Sequence, residues 1–281
     1  MMLSNVYCIW YPSGGFGHFI NAVLSLYGEN FVRPKNYLKF SNTGDSHSLD
    51  LIAPKFYHDQ DTYNFNFTST KNYSVLIDNG IPNESDRFVN FFYGAKIIKI
   101  CYSDLSWPIV AKTMIVKAQG INFNSSIFPE VDKWQEFTPW AQREKYFLFL
   151  RNHEFRSMWK PSNNCFNLFI DDMFDYTLLI KKLSIFGIKT KDFKNVLYQW
   201  QISNKQYIDP VITSHTILNA VAANKSIPLN IQDTWTQAIV YYMIWLKYQF
   251  EVPHNDYSNW FTNTKDIVNM LIDHGVSIDT N

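Results

Sequence analysis

A glycine-rich turn is the feature of this sequence whose residue types most directly suggest chemistry. It lies in Tyr11-Pro-Ser-Gly-Gly-Phe-Gly-His-Phe19, directly after the apolar run 6–10. Glycine allows positive φ angles and leaves no Cβ between the backbone and a ligand, so that several amide groups can converge on one point. When a helix follows such a turn, a phosphate-type anion is its usual occupant. The residues expected to bind the anion are Ser13, Gly14, Gly15, Phe16, Gly17, His18 and Phe19. A tight strand-to-helix turn without a ligand is the alternative.

The turn carries neither of the two common nucleotide-binding motifs in full. A Walker loop ends in Gly-Lys-Ser/Thr, which is missing here, and Gly15-Phe-Gly17 lacks the later glycine of the dinucleotide fingerprint. The turn therefore predicts an anion site but does not by itself identify a nucleotide.

Polar residues also follow two other apolar runs, 74–77 and 95–101. They are Asp78 and Asn79 after the first run, and Tyr102, Ser103, Asp104 and Ser106 after the second. Ligands of parallel sheets gather at the carboxyl ends of the strands. We therefore expect these residues and the glycine-rich turn to surround one crevice.

The polar region 29–72 contains two histidines, His47 and His58. A loop of this length inside a compact domain is usually functional or a lid, although residues 48–53 could form a short helix. The histidines could act as general bases or ligands, but neither has a second histidine or a carboxylate at metal-ligand spacing. Surface histidines are the alternative, and no metal site is predicted.

Two charged groups farther along the chain each allow two interpretations. Arg151, His153 and Arg156 follow the apolar run 146–150, which we interpret as a strand, and could form an anion clamp. A solvated turn whose charges pair with a neighbouring glutamate is the alternative. The pair Asp171-Asp172 could hold Mg²⁺ or act as a base, or it could simply end a strand and cap a helix.

Strands that alternate with helices are the elements that must position these residues. Apolar runs predict strands at 6–10, 74–78, 95–101, 146–150 and 166–170. Helical spacing and end signals predict helices from the glycine turn to Gly28, from Ser106 towards Gly120, before Gly187, after Asp192, and at about 210–223, 234–249 and 264–274. The pattern predicts an α/β fold with a parallel β-sheet flanked by helices and a mainly helical C-terminal part, about 190–281. We interpret residues 1–281 as a single domain.

Charge and composition argue against several classes of protein. The 25 basic and 25 acidic residues leave no net charge, which argues against a general nucleic-acid binder. The sequence shows neither a secretory leader nor an apolar stretch long enough for a membrane helix, so we expect a cytoplasmic protein. Its three cysteines, Cys8, Cys101 and Cys165, form no CxxC pair, and we expect reduced thiols that are buried at the first two positions.

Three segments together resemble the sulfotransferase family, which has a P-loop-like fold and uses the sulfate donor PAPS (3′-phosphoadenosine 5′-phosphosulfate). The segment 11–19 resembles the family's Tyr-Pro-Lys-Ser-Gly-Thr-type loop, which holds the 5′-phosphosulfate. Lys96-Ile-Ile-Lys-Ile-Cys-Tyr-Ser-Asp104 is similar to the segment that binds the 3′-phosphate. Phe169-Ile-Asp-Asp-Met-Phe-Asp175, followed by Leu183-Ser-Ile-Phe-Gly187, is similar to the family's acidic segment and the helix end after it.

The resemblance implies a sulfotransferase that moves a sulfuryl group from PAPS to a hydroxyl of a small-molecule or glycan acceptor. It implies that the turn amides and His18 bind the phosphosulfate, and His18 is also a candidate catalytic residue. The nearest candidates for the 3′-phosphate are Lys99, Tyr102, Ser103 and Ser106. Ser13 stands where the family has the loop lysine, and no histidine stands near Asp78, where the family has its catalytic histidine. Asp78 or His47 could supply the base instead.

Two other functions remain open. Gly14-Gly-Phe-Gly-His18 also resembles the Gly-Gly-x-Gly-Asn loop of fucosyltransferase-type glycosyltransferases, which use nucleotide sugars. Phe149-Leu-Arg151-Asn-His153 would then be the basic strand-end motif that contacts the nucleotide diphosphate. A non-catalytic nucleotide-binding protein is the other alternative, since the lysine and the histidine of the sulfotransferase motifs are missing.

Overall fold

The computed structural model of the chain describes residues 4–12, 14–33, 55–56, 69–78, 94–120, 131–157, 159–251 and 260–278. Within these ranges the chain has an α/β fold, in which helices flank a parallel sheet. The predicted fold class is confirmed at this level. The possible helix 48–53 and the candidate residues Ser13, His47, His58 and Asn79 lie outside the described residues.

The sheet has five parallel strands in the spatial order β2-β3-β1-β4-β5. In chain order these are β1 (Val6–Tyr11), β2 (Lys55–Phe56), β3 (Tyr73–Asp78), β4 (Lys96–Cys101) and β5 (Phe166–Phe169). Strand β1 lies between two neighbours and all 6 of its residues are buried, as a continuous apolar run predicts. The short edge strand β2 falls in the region 29–72, for which the sequence predicts no strand.

Helices follow the strands and make up the C-terminal part of the described chain. They are α1 (Gly17–Ala22), α2 (Trp107–Gly120), α3 (Pro139–Arg151), α4 (His153–Ser157), α5 (Tyr176–Ile185), α6 (Lys194–Ser203), α7 (Lys205–Ala222), α8 (Thr234–Tyr248) and α9 (Thr264–Asp273). Helix α1 continues as a π-helical turn, Val23–Tyr27, and ends at Gly28 as predicted. Short 3₁₀ turns cover Val131–Glu136 and Ile170–Phe174.

The chain divides into two compact units, and the first comprises Met1–Ser106 and Ser157–Lys205. It contains the sheet together with α1, α5 and α6. Helix α1 packs against β1 and β3, and the Ser74 hydroxyl donates a hydrogen bond of 2.6 Å to Asn21 Oδ1. The buried Trp200 of α6 stacks on Phe19 of α1 with ring centroids 4.5 Å apart. These contacts fix α1 and therefore the turn that precedes it.

The second unit comprises Trp107–Arg156 and Gln206–Asn281, and its described residues contain helices α2, α3, α4, α7, α8 and α9. Helices α3 and α8 pack along each other. Between them the buried Arg143 donates a hydrogen bond of 3.1 Å to Gln237 Oε1, and its guanidinium lies 5.7 Å from the centre of the Tyr241 ring. The helical C-terminal part that the sequence predicts is thus present.

The prediction of a strand at 146–150 is wrong, because these residues belong to helix α3. Thr138 begins the helix by accepting a hydrogen bond from the Ala141 amide, and Pro139 occupies its first turn. A short apolar run cannot be assigned to a strand or a buried helix by periodicity alone. The prolines Pro129 and Pro139 also predict a loop over residues 121–144, but among the described residues this helix and the 3₁₀ turn before it occupy part of that range.

The cysteines and the helix lengths agree with the expectations from composition. Cys8 and Cys101 are buried free thiols, and Cys165 is a half-buried one. Among the helices of the described ranges, none has both the length and the apolar character needed to cross a membrane.

Candidate functional site

The carboxyl ends of β1 and β4 lie where the chain connections of the sheet change direction. After β1 the chain moves to the side of β2 and β3, whereas after β4 it moves to β5 on the other side. Ligands of open α/β sheets bind in the crevice outside such a switch point. The glycine-rich turn and the segment 102–106 follow these two neighbouring strands. Asp78, the last residue of β3, pairs in register with Tyr11, so its backbone lies at the same edge.

The glycine-rich turn is compact and buried between β1 and α1. The Gly15 amide donates a hydrogen bond of 2.7 Å to the Pro12 carbonyl, and Gly14 has a φ of 80°. Phe16 also adopts the left-handed conformation, with φ 59° and ψ 26°, immediately before the first residue of α1. Two of the predicted anion-binding amides, those of Gly15 and Phe19, are therefore used within the turn itself, since the Phe19 amide donates a hydrogen bond of 3.0 Å to the Phe16 carbonyl.

Close packing explains two of the three glycines. A Cβ at Gly15 would lie 2.6 Å from Pro12 Cδ, and a Cβ at Gly17 would lie 2.2 Å from Tyr11 Cγ. Neither distance is compatible with a side chain unless the neighbouring ring moves. Gly17 thus lets the start of α1 lie directly against the Tyr11 ring, whatever binds outside the turn.

His18, a candidate for both donor binding and catalysis, contacts Tyr11. Tyr11 Oη and His18 Nε2 are 2.8 Å apart, and the two rings meet edge-on with centroids separated by 5.4 Å. Both side chains are buried. A phenol joined to an imidazole can pass a proton between oxygen and nitrogen, so the pair has the chemistry of an acid–base group.

The two aromatic residues of the turn face the protein core. Phe16 meets Trp200 edge-on with ring centroids 5.1 Å apart, and Phe19 stacks on the same indole. Both phenyl rings are buried. Their packing anchors the turn to α6, so their side chains do not face an anion, and the Phe19 amide already donates to the Phe16 carbonyl.

The hydroxyls of Ser103 and Ser106 both donate hydrogen bonds to Asp171. Ser103 Oγ lies 3.0 Å from Asp171 Oδ1, and Ser106 Oγ lies 2.7 Å from Asp171 Oδ2. The Ser103 amide also donates to Ser106 Oγ at 3.0 Å. The two serines therefore bind an anion, but this anion is a carboxylate of the same chain, at the place where the resemblance implies a phosphate.

Asp172, the neighbour of Asp171, has a structural role. It accepts a hydrogen bond of 2.9 Å from the Phe169 amide, and its carboxylate lies 3.7 Å from Lys182 Nζ. This geometry supports the interpretation that the acidic pair ends a strand and caps a turn. In the part of the chain that the structure describes, no group of three or more His, Cys, Asp and Glu side chains could hold a metal ion.

Lys99 lies between two tryptophans. Its Nζ is 4.9 Å from the centre of the Trp10 ring and 5.7 Å from that of Trp159, and the lysine is only 6% exposed. Cation–π attraction to two indoles stabilises an ammonium group away from water. Trp10 is opposite Lys99 in the register of β1 and β4, which is a relation that the sequence does not reveal.

Tyr102, which follows β4, is buried as well. Burial, together with the nearby Cys101 and Asp104, raises the pKa of its phenol well above the ordinary value of 10.0. The hydroxyl therefore stays protonated even in moderately alkaline solution.

The predicted cluster of Arg151, His153 and Arg156 belongs to helices α3 and α4 of the second unit. Arg151 makes a bidentate pair with Glu251, both N–O distances being 2.7 Å. The guanidinium groups of Arg151 and Arg156 lie 4.7 and 5.1 Å from the centre of the Trp245 ring. The carboxylate partner of Arg151 is thus Glu251 and not the neighbouring Glu154, and this arginine already holds an anion.

Comparisons of the chain with protein-family models, with curated proteins and with solved structures found no significant match. The geometry of the described residues is accordingly the basis for the function considered next.

Proposed function

We propose that the protein is a nucleotide-binding transferase of the sulfotransferase type, which binds PAPS outside the carboxyl ends of β1 and β4. One observation carries the proposal: a glycine-rich turn follows the central strand at the switch point of a parallel sheet. Such a position favours an anionic ligand, since the amides at the start of a helix lack acceptors within the helix. The resemblance of the turn to the PAPS loop then supplies the identity of the donor.

The proposed reaction is an in-line transfer. The acceptor hydroxyl oxygen attacks the sulfur of PAPS, and the bond from sulfur to the bridging phosphate oxygen breaks. The hydroxyl proton passes to a base, and adenosine 3′,5′-bisphosphate leaves. By analogy with phosphoryl transfer, the protein would contribute positioning and stabilisation of the charge on the departing oxygen.

The residues would divide this work among them. The remaining amides of the turn and His18 would bind the phosphosulfate, and Lys99, Tyr102, Ser103 and Ser106 would lie towards the 3′-phosphate. Asp78 or His47 would accept the proton of the acceptor hydroxyl.

A non-catalytic nucleotide-binding protein is the second candidate. The position of Asp171 favours it, because the two serine hydroxyls expected to meet a phosphate already donate to this carboxylate. The glycosyltransferase alternative loses support, since the basic motif that it needs after a strand lies in helices α3 and α4.

Thermal unfolding with nucleotides tests the proposal. We expect adenosine 3′,5′-bisphosphate to raise the Tm, by a stabilisation of about 2.7 kcal/mol at a ligand concentration near one hundred times Kd, and GDP to leave it unchanged. A shift with GDP alone would favour the nucleotide-sugar enzyme. No shift with either ligand would contradict the proposed donor site.

A matched pair of glycine variants locates the site. Gly15→Ala places a Cβ against Pro12 and should lower the shift with adenosine 3′,5′-bisphosphate. Gly187→Ala is the control for lost stability, because Gly187 has a positive φ, 75°, which strains an alanine there, although its Cβ would meet no atom within 4 Å. The control should lose about 1 kcal/mol of stability and keep the full shift. An undiminished shift in a folded Gly15→Ala protein would exclude the turn as the anion site.

A further inference from the structure

A basic pocket lies at the amino ends of the strands, whereas the glycine-rich turn follows the carboxyl end of β1. Its walls include Arg33, Lys71 and Lys191, together with Glu29, Asn30 and Ser69. The cavity has a volume of about 640 Å³, within the usual range for small-molecule sites. Residues 69–71 immediately precede β3, which places the pocket at the amino ends of the strands. The pocket is thus separate from the proposed donor site.

Three separate segments of the chain each contribute one basic side chain to this pocket, and main-chain hydrogen bonds join them. Residues 28–33 follow α1, and the amide of Glu29 donates 2.8 Å to the Lys189 carbonyl. The amide of Lys191 donates 2.7 Å to the Tyr27 carbonyl in return. These bonds hold the segment that carries Lys191 against the segment that carries Arg33.

The segment that carries Lys71 is joined to residues 28–33 in the same way. The Val32 amide donates to the Asn72 carbonyl, and the Asn72 amide donates to the Asn30 carbonyl, both at 2.8 Å. The backbone of the pocket is therefore fixed on all three sides before a ligand arrives, which lowers the entropic cost of binding.

The turn at 69–71 is held from beneath by two further residues. Asn5 Nδ2 donates to the carbonyls of Ser69 and Lys71, at 3.0 Å each. The Ser69 amide donates 2.8 Å to Tyr73 Oη. The backbone at Lys71 is fixed by the hydrogen bond from Asn5 and by the hydrogen bonds of the next residue, Asn72, so the Lys71 side chain projects from a defined position.

The charge of the pocket selects for anions. Among the described lining residues, three basic side chains and one acidic side chain, that of Glu29, give a net charge of plus two, in a protein whose total charge is zero. All four of these residues are exposed, so that they can reach a ligand from solvent. Clustered charge of one sign in a concave surface attracts ligands of the other sign.

We propose that this pocket binds a small ligand with two or more phosphate or sulfate groups. A single phosphate would leave most of the 640 Å³ empty and would meet only part of the basic lining. A ligand with two such groups engages basic side chains from different segments at once, and Ser69 and Asn30 offer hydrogen bonds to its oxygens.

Calorimetric titration with inorganic pyrophosphate tests this site. We expect saturable binding that persists in Gly15→Ala and weakens as salt is added. Lys71→Glu and Lys191→Glu each change the net charge of the pocket from plus two to zero and should raise Kd at least about tenfold. Lys181→Glu, the same charge reversal at an exposed position of α5, should leave Kd within about twofold.

The outcomes separate this pocket from the donor site and from other anions. Adenosine 3′,5′-bisphosphate also carries two phosphates, so the two sites are separated by pyrophosphate and by the variants. Gly15→Ala should keep the pyrophosphate affinity that Lys71→Glu lowers, and Lys71→Glu should keep the part of the thermal shift with adenosine 3′,5′-bisphosphate that Gly15→Ala removes. Inorganic sulfate carries a single anionic group, so it should bind to this pocket more weakly than pyrophosphate does. No measurable pyrophosphate binding, equal losses in the Lys181→Glu control, or binding of a DNA oligonucleotide alone would each overturn the proposal.

Discussion

At the scale of single residues, the predicted site is rich in groups that already have partners inside the protein. His18 contacts Tyr11, Lys99 lies between two indoles, and Ser103 donates to Asp171. These contacts make each group rigid and partly desolvated, which strengthens any electrostatic interaction with a ligand. They also mean that a ligand must compete with the protein for the two serines.

The competition at Ser103 and Ser106 leads to a prediction for Asp171→Asn. Replacing the carboxylate by an amide removes a negative charge next to the expected 3′-phosphate and lets both hydroxyls turn to the ligand. We expect about tenfold tighter binding of adenosine 3′,5′-bisphosphate, or roughly 1.4 kcal/mol, measured by calorimetry. Asp192→Asn, an exposed carboxylate elsewhere in the same unit, is the control. Unchanged or weaker binding in Asp171→Asn would place the 3′-phosphate away from these serines.

The sequence predicts the residues of the site but not their partners, because the partners lie far away along the chain. The glycine turn directly follows one apolar run, and the polar residues 102–106 directly follow another. Their positions at the ends of strands could therefore be predicted. Asp171 lies 68 and 65 residues from the serines that it binds, and Trp10 meets Lys99 only through the strand register. Such pairs depend on tertiary structure and leave no local pattern.

At the scale of elements, the sequence correctly predicts that four apolar runs form strands, but it wrongly predicts a strand for the run 146–150, which is helical. Strands β1, β3, β4 and β5 are short apolar runs bounded by polar residues. The run in α3 has the same composition, but Arg143 one turn earlier is buried on the same helix and hydrogen-bonded to α8. A charged residue in the core contradicts a simple apolar pattern, and only the partner explains it.

Helix α8 provides a prediction at this scale, because its N-terminus depends on one side chain. Asp233 Oδ2 accepts a hydrogen bond of 2.8 Å from the Thr236 amide and one of 2.6 Å from the Thr236 hydroxyl. Asp233→Ala should lower the free energy of unfolding by about 1–2 kcal/mol, measured by urea denaturation. Asp233→Asn keeps an acceptor oxygen and should recover most of the loss. Equal stability of the alanine variant and the natural protein would show that the cap is not needed.

At the scale of the whole molecule, the described chain consists of one unit built on the sheet and one helical unit. The change from strands to helices along the sequence predicts both kinds of structure. The second unit is assembled from two separated stretches, Trp107–Arg156 and Gln206–Asn281, and the first of these interrupts the strand-containing part. A reading of the chain from one end to the other cannot reveal this interleaving, and the single domain 1–281 stays a prediction.

Burial of neutral titratable groups leads to a prediction for alkaline solution. Burial raises the pKa of Cys8 and of Tyr102, and it raises the pKa of Cys101 to about 12 from 9.0. The unfolded chain therefore loses these protons at a lower pH than the folded protein. Their contribution to stability is complete below about pH 9 and decreases as the pH rises above it, by up to about 1.4 kcal/mol per pH unit for each group.

Urea unfolding at a series of pH values above neutrality measures this decrease. In Cys101→Ala, one of the buried thiols is gone, so the slope of stability against pH between about 9 and 11 should be shallower than in the natural protein. The absolute stability of this variant also changes through lost packing, but packing does not alter the slope. A slope that is the same in both proteins would contradict the role of the Cys101 thiol.

The contact of Gly17 with the Tyr11 ring has a consequence for evolution. Any mutation that gives residue 17 a side chain is opposed by steric overlap with the phenol ring, in a protein with or without a ligand. Purifying selection on folding alone would therefore favour this glycine for as long as an aromatic ring stands at position 11. Persistence of the glycine in a lineage would record the shared backbone and carry no information about a ligand.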